Sequence, residues 1–227
     1  MKIKNIYNIN QHGIEIIRNS ISDNEITKIK NEVSLSCHEY SGCGIRNADK
    51  KFSSIDVLVN SDKMLRLASS ILGSQAEIVR VIFFDKTPDK NWLVSWHQDR
   101  TIALDRKADI SGWGPWSVKD GAHHVQPPIE VLNSMVTFRL HLDNADQNNG
   151  CLKVIPQSHK SGILSQAEIK NIVNMEETCM CEARQGDLLL MRPHLLHASS
   201  KALKPGHRRV VHVEYSNYIL PVNLQWA

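Results

Sequence analysis

The spacing of apolar residues changes near residue 75. Before that point apolar residues recur every three to four positions. Ile26, Ile29 and Val33 make one stripe, preceded by Ser22 and Glu25 at capping-box spacing, with Ile21 and Ile26 near a staple arrangement. Met64, Leu65, Ala68, Ile71 and Leu72 share a second face that opens at Ser61 and ends at Gly73, a residue suited to the left-handed turn after a helix. Two amphipathic helices are expected, each laying its apolar face on a core.

From Ala76 onward the pattern is β-branched and aromatic. Strands are expected over Ile78–Phe84, Met135–Leu142, Leu152–Ile155, Asp187–Met191 and Arg208–Tyr215. Ser165 to Val173 reads as a short crossover helix, and Asn148-Asn149-Gly150 as the clearest hairpin turn. Short strands between Asn, Gly and Pro turns predict an antiparallel sandwich or barrel. About thirty-five residues separate Asp99 from the strand at Met135, and they include Trp113, Trp116 and His123-His124-Val125-Gln126. A connection of that length is usually a lid or binding loop. Its tryptophans argue for an ordered segment, read here as an active-site cover over 100–134.

With 227 residues, one domain with a substantial core is expected. The net charge of +3, without runs of like charge, predicts no nucleic-acid surface. No apolar run approaches the roughly eighteen residues of a membrane span. Cys37, Cys43, Cys151, Cys179 and Cys181 are odd in number and irregular in spacing. They lack the paired spacing of structural zinc sites and read as free thiols. Met1-Lys2-Ile3-Lys4-Asn5 has no continuous apolar stretch, so a cytoplasmic location is expected.

Three His-x-Asp/Glu triplets are present: His97-Gln98-Asp99, His141-Leu142-Asp143 and His212-Val213-Glu214. On a strand, residues two apart face the same way, so any of them could pair an imidazole with a carboxylate. Context favours the first, which closes a strand, opens the long connection and leaves several strands before His197. His194 competes with His197 as the further histidine. Two histidines and one carboxylate are the ligand set of a non-haem Fe(II) centre with open positions. Arg208 or Arg209, on the last strand, would grip the far carboxylate of an acidic co-substrate; alternation sends only one of them inward.

Four segments in order resemble the phytanoyl-CoA dioxygenase family: Trp96-His97-Gln98-Asp99, then Asn149 through Lys160, then Gly186-Asp187-Leu188-Leu189, then His197-Ala198-Ser199 with Arg208. The resemblance runs from about Ala76 to Tyr215. It implies a mainly β fold, a double-stranded β-helix of jelly-roll or cupin-like form, spanning 76–220; the mainly helical N-terminal segment read above, residues 1–75, is expected to pack on one sheet. The resemblance also implies Fe(II), 2-oxoglutarate and O2 as cofactors and His97, Asp99 and His197 as iron ligands. Arg208 and Ser199 would hold the co-substrate, with Gln98 beside it. Arg139 stands where many members carry tryptophan and is expected to face the co-substrate or an anionic substrate group. Pro156-Gln157-Ser158-His159 departs from the family's Pro-Gly-Ser-His turn without touching a ligand.

The resulting expectation is a dioxygenase hydroxylating a small molecule with release of succinate and CO2. The alternatives are a silent binding module on the same fold and a cupin-like metal enzyme without 2-oxoglutarate. Arg46, Trp92, Trp113, Trp116, His124 and Gln126 are the candidate substrate residues. The pattern says nothing about oligomeric state.

Overall fold

The computed structural model describes residues 7–36, 44–204, 206–221 and 223–227. The pair Cys37 and Cys43 lies outside them, while Cys151, Cys179 and Cys181 are free thiols.

Both expected helices form. In α2 (Asp23–Ser36), Ser22 Oγ accepts the Glu25 N–H and the Glu25 carboxylate accepts the Ser22 N–H, completing the capping box. In α5 (Asp62–Leu72), the Ser61 hydroxyl caps Met64 N–H and Gly73 closes the helix at φ 87°. Between them lie two helices the periodicity did not announce, α3 (Ala48–Lys51) and α4 (Ser53–Val59). Each is too short to repeat a face. A first turn α1 (Ile9–His12) precedes the edge strand β1 (Ile14–Ile17).

The larger sheet has six antiparallel strands in the order β1-β11-β8-β13-β3-β2. They are β11 (Leu188–Met191), β8 (Met135–His141), β13 (Arg208–Ser216), β3 (Glu77–Lys86) and β2 (Gly44–Arg46), with β1 at the far edge. Alternation divides the side chains between its two faces. Val81, Phe83, Phe138, Leu140, Val211, Val213 and Tyr215 form one core cluster with Ile26, Ile29, Phe52, Ile55 and Met64 of the helices. The opposite face carries Ile82, Phe84, Arg139, Arg208 and His212, which line a cavity.

A four-stranded sheet, β10-β9-β12-β4, contributes the facing wall. Its members are β4 (Val94–His97), β9 (Leu152–Val154), β10 (Cys179–Cys181) and β12 (His197–Ser199). The crossover helix α7 (Gln166–Met175) starts in a capping box between Ser165 and Glu168. The architecture is mainly β, two facing antiparallel sheets and a smaller three-stranded one, with α2–α5 on the outer face of the larger sheet and α7 against β4.

Two expectations need correction. The Asn148-Asn149-Gly150 turn does not close a hairpin: β8 pairs with β11 and β13, whereas β9 pairs with β10 and β12. It carries the chain from one sheet to the other, folded around the Asp146 carboxylate, which accepts the N–H groups of Asn148 and Asn149. The segment 100–134 is not a simple loop. It folds as a three-stranded ribbon, β5 (Ile102–Leu104), β7 (Ala122–Val125) and β6 (Trp116–Lys119), followed by α6 (Ile129–Asn133). Strands of three or four residues are too short for a period to show.

Candidate metal centre

His97 ends β4 and His197 begins β12, and the two are cross-strand partners. Their ring centroids lie 4.2 Å apart. Asp99 follows two residues beyond His97, its N–H held by the Pro193 carbonyl at 2.9 Å. Its carboxylate oxygens stand 3.6 Å from His97 Nε2 and 3.5 Å from His197 Nε2. Each histidine directs Nδ1 to a backbone carbonyl two residues earlier, His97 to Ser95 and His197 to Leu195, both at 2.8 Å. A carbonyl only accepts, so Nδ1 carries the proton and Nε2 presents its lone pair to the centre. Three ligand atoms within 4.8 Å of one another can share one ion.

Electrostatics favour the ligating protonation state at His197 and Asp99 and work the other way at His97. Burial, only partly opposed by Asp99, pushes His197 down to about 4, so its imidazole is neutral at pH 7. Burial works against charge on Asp99, but the three surrounding histidines, His197 first, outweigh it and hold the carboxyl well below the usual range. For His97 burial acts downward, and the hydrogen bond to Asp99 outweighs it, so its pKa is raised.

Arg208 and Arg209 diverge as alternation requires. Arg209 turns outward and forms a two-pronged ion pair with Asp143, at 2.8 and 2.9 Å. Arg208 turns inward, is 3% exposed, and donates from Nη1 to the Gly150 carbonyl at 2.8 Å. The Ser199 hydroxyl donates to the same oxygen, also at 2.8 Å. Gly150 has φ 74°, and a Cβ there would fall 2.3 Å from the Ser200 carbonyl, so only glycine fits. Lys86, not among the residues expected at the site, pairs with Arg208 in register and donates from Nζ to Ser199 Oγ at 2.9 Å. The only sequence signal for it is its place at the end of the strand that carries Val81-Ile82-Phe83-Phe84.

Arg139, on β8, is 7% exposed and stacks over Phe84 at 5.8 Å. One guanidinium nitrogen lies 3.0 Å from His212 Nδ1, and His212 Nε2 lies 3.2 Å from Glu214. Glu214 in turn pairs with Arg80. The third triplet therefore converges on the same place, and Asp99, His212 and Glu214 also lie within 4.8 Å of one another. Glu214 is already committed to Arg80. The second triplet separates: Asp143 serves Arg209 and Lys30, while His141 is buried with Nδ1 on the Arg139 carbonyl. His194 is buried beside His159, at a ring separation of 6.0 Å.

The remaining expected residues divide. Arg46, Trp92 and His124 line the cavity. Gln98 does not: alternation turns it away from His97 and Asp99, and its amide binds Gly162 O, His194 O and Leu164 N–H. Trp113 and Trp116 pack into the apolar cluster of Ile102, Leu104, Val125 and Val131 under the ribbon. Gln126 is absent from the cavity wall, and its backbone pairs with Gly114 and Pro115. Arg80, Phe84 and Lys119 line the cavity without any sequence motif to mark them, and His212 of the third triplet joins them.

The fold and the three convergent side chains define a jelly-roll protein with a two-histidine, one-carboxylate centre. Within that class, the chain belongs to the phytanoyl-CoA dioxygenase family, whose model matches residues 9–210. It is 25% identical over 156 residues to phytanoyl-CoA dioxygenase 1 of Oryza sativa subsp. japonica, covering 64% of this chain and 46% of that protein. The chain thus spans about half the length of the curated relative it matches. Among solved structures, HygX from Streptomyces hygroscopicus, with nickel and 2-oxoglutarate bound, superposes with TM-score 0.67 at 16% identity, over 95% of this chain and 87% of its own. The epimerase SnoN, in complex with Fe3+, alpha ketoglutarate and nogalamycin RO, gives TM-score 0.72 at 13% identity, over 96% and 82%. At these identities the likeness is one of fold. No helix among the described residues is long and apolar enough to cross a membrane.

Proposed function

We propose that this chain is an Fe(II)- and 2-oxoglutarate-dependent dioxygenase that hydroxylates a small molecule with release of succinate and CO2. The observation that carries the reading is the convergence in one cavity of the His97–Asp99–His197 set with Arg208 and Ser199. The donor set fits the metal: two imidazole nitrogens and a carboxylate suit iron and leave coordination positions open. Arg208 keeps an Nε–H without a hydrogen-bond partner among the described residues, a buried donor open to an added acceptor. When bound, iron with 2-oxoglutarate and O2 supplies the oxidant that the side chains lack.

The chain's own residues bind, orient and exclude water. The Ser95 and Leu195 carbonyls lock both imidazole tautomers. The Gly150 carbonyl accepts from both Arg208 and Ser199 and so holds the two side chains together, while Lys86 donates to the serine oxygen. A guanidinium fork matches a carboxylate, and such a charge-assisted contact is worth about 1.5–3 kcal/mol. Ile82, Phe84, Val94 and Leu152 form an apolar wall that limits water around the centre.

The test is an anaerobic titration with Fe(II) and then 2-oxoglutarate, following the visible metal-to-ligand charge-transfer band. A band that needs both components, and that His97→Ala abolishes, supports the reading. Iron binding without the band would favour a cupin-like enzyme with another co-substrate. No iron binding would favour a binding module.

A further inference from the structure

The side chains lining the cavity are unbalanced in charge. Arg46, Arg80, Lys119, Arg139 and Arg208 are cationic, and Asp99 is the one carboxylate among the lining residues. Arg80 is neutralised by Glu214, and Arg46 reaches the Asp120 carboxylate at 3.1 Å. With Fe(II) on Asp99 and the 2-oxoglutarate dianion on Arg208, the charges of these four groups cancel, and Lys86 behind Ser199 adds a further positive charge. Arg139 and Lys119 are then left without a carboxylate partner among the described residues. Arg139 is more than nine-tenths buried, and its Nε–H has no hydrogen-bond acceptor. An uncompensated buried guanidinium is costly unless a ligand completes it.

Resting on the proposed function, we infer that the substrate carries an anionic group, a carboxylate or phosphate monoester, which binds between Arg139 in the cavity wall and Lys119 at its mouth. Of the two partners expected for Arg139, charge balance selects the substrate over the co-substrate. Arg139 is held for that task by stacking on Phe84 and by the His212 imidazole. Phe84 is itself tightly backed: a Cβ on Gly44 would come within 2.8 Å of its ring. Lys119 ends β6 beside the tight turn at Asp120 and Gly121, and the Arg46–Asp120 ion pair ties that turn to β2. The positive field is felt by His124, which burial and then Arg80, Lys119 and Arg46 push down to about 4. The cavity volume of about 240 Å³ suits a small acid, or the acidic end of a larger molecule, beside 2-oxoglutarate.

The experiment uses the anaerobic Fe(II)–2-oxoglutarate protein and four probes on one carbon skeleton: hexanoate, hexyl phosphate, hexanamide and hexylamine. Their binding is read as a shift of the charge-transfer band. One of the two anions should act at roughly tenfold lower concentration than the amide, as expected for one charge-assisted contact, and which one does so identifies the group. Lys119→Glu, on an exposed side chain, should erase that preference while the band itself persists. Arg139→Gln should do the same, and Arg139→Lys should restore some of the preference. The inference is overturned if amide and anion act alike, if the amine acts best, or if neither anion acts at millimolar concentration. Loss of the band itself in Arg139→Gln would also overturn it, by giving that residue to the co-substrate. If the wild-type protein forms no band with Fe(II) and 2-oxoglutarate, the functional reading fails first and the inference with it.

Discussion

His97 and His197, a hundred residues apart in the chain, are direct cross-strand partners at the ends of β4 and β12. Sheet pairing holds their rings 4.2 Å apart, so the spacing of the two imidazoles is set by backbone hydrogen bonds rather than by side-chain freedom. Replacing either with alanine should abolish iron binding at micromolar metal while the fold persists. Equilibrium dialysis against Fe(II), with circular dichroism as the folding control, checks this. Retained stoichiometric binding in both variants would move the centre elsewhere.

Arg208→Ala should weaken 2-oxoglutarate by roughly tenfold or more, from the loss of about 1.5–3 kcal/mol, and leave iron affinity unchanged. Arg209→Ala should leave 2-oxoglutarate binding alone, because its fork is occupied by Asp143. It should cost about 1 kcal/mol of stability or less, since that pair is partly exposed. Titration of the charge-transfer band and urea denaturation separate the two effects.

Lys86→Met keeps volume but removes the donor behind Ser199. The expected result is a 2-oxoglutarate affinity reduced less than in Arg208→Ala, with the iron site intact. A variant that binds 2-oxoglutarate as well as the parent would show that Ser199 needs no support.

Gly150→Ala should destabilise the fold by about 1–3 kcal/mol, since φ is positive and the added methyl meets the Ser200 carbonyl. Because Gly150 O receives both Arg208 and Ser199, 2-oxoglutarate affinity should fall in the same variant. Urea midpoints and the charge-transfer titration report the two losses separately.

Stability should fall in acid from below pH 6.5. Burial, then Arg139 and Arg208, push His141 from 6.5 down to about 3. Above pH 6.5 neither state binds its proton. Between 6.5 and about 3 the unfolded chain is protonated and the native chain is not, so stability declines as pH drops, by up to about 1.4 kcal/mol per unit from this residue. His159 and His194, at about 4, act with the same sign. Urea denaturation between pH 8 and 4.5 should show this slope, and His141→Gln should flatten it; a pH-independent midpoint would contradict it.

Some of this was legible in the chain because the cause is local. The capping residues Ser22 and Ser61, the C-terminal Gly73 and the crossover cap Ser165 act within one helical turn, so sequence spacing alone reports them. The longer strands of the larger sheet are buried runs rich in β-branched and aromatic residues, and that composition shows in the sequence. The pairing of His97-Gln98-Asp99 with His197 and an inward arginine was readable as a set of residue types in order. Gln98 was misjudged because adjacency to ligands in sequence means the opposite face on an extended strand.

The sequence by itself determined the helix ends, the strand-rich class and the kinds of ligand available. Tertiary structure decided which of three triplets share a centre, which of two adjacent arginines enters the cavity, and that Trp113 and Trp116 support the ribbon instead of lining the site. It also decided that Arg139 and Lys119 stand over one cavity. The physical reason is the same throughout. Caps and periodicity arise from interactions a few residues long, whereas ligand convergence, strand phase and charge compensation are set by pairing between segments far apart in the chain.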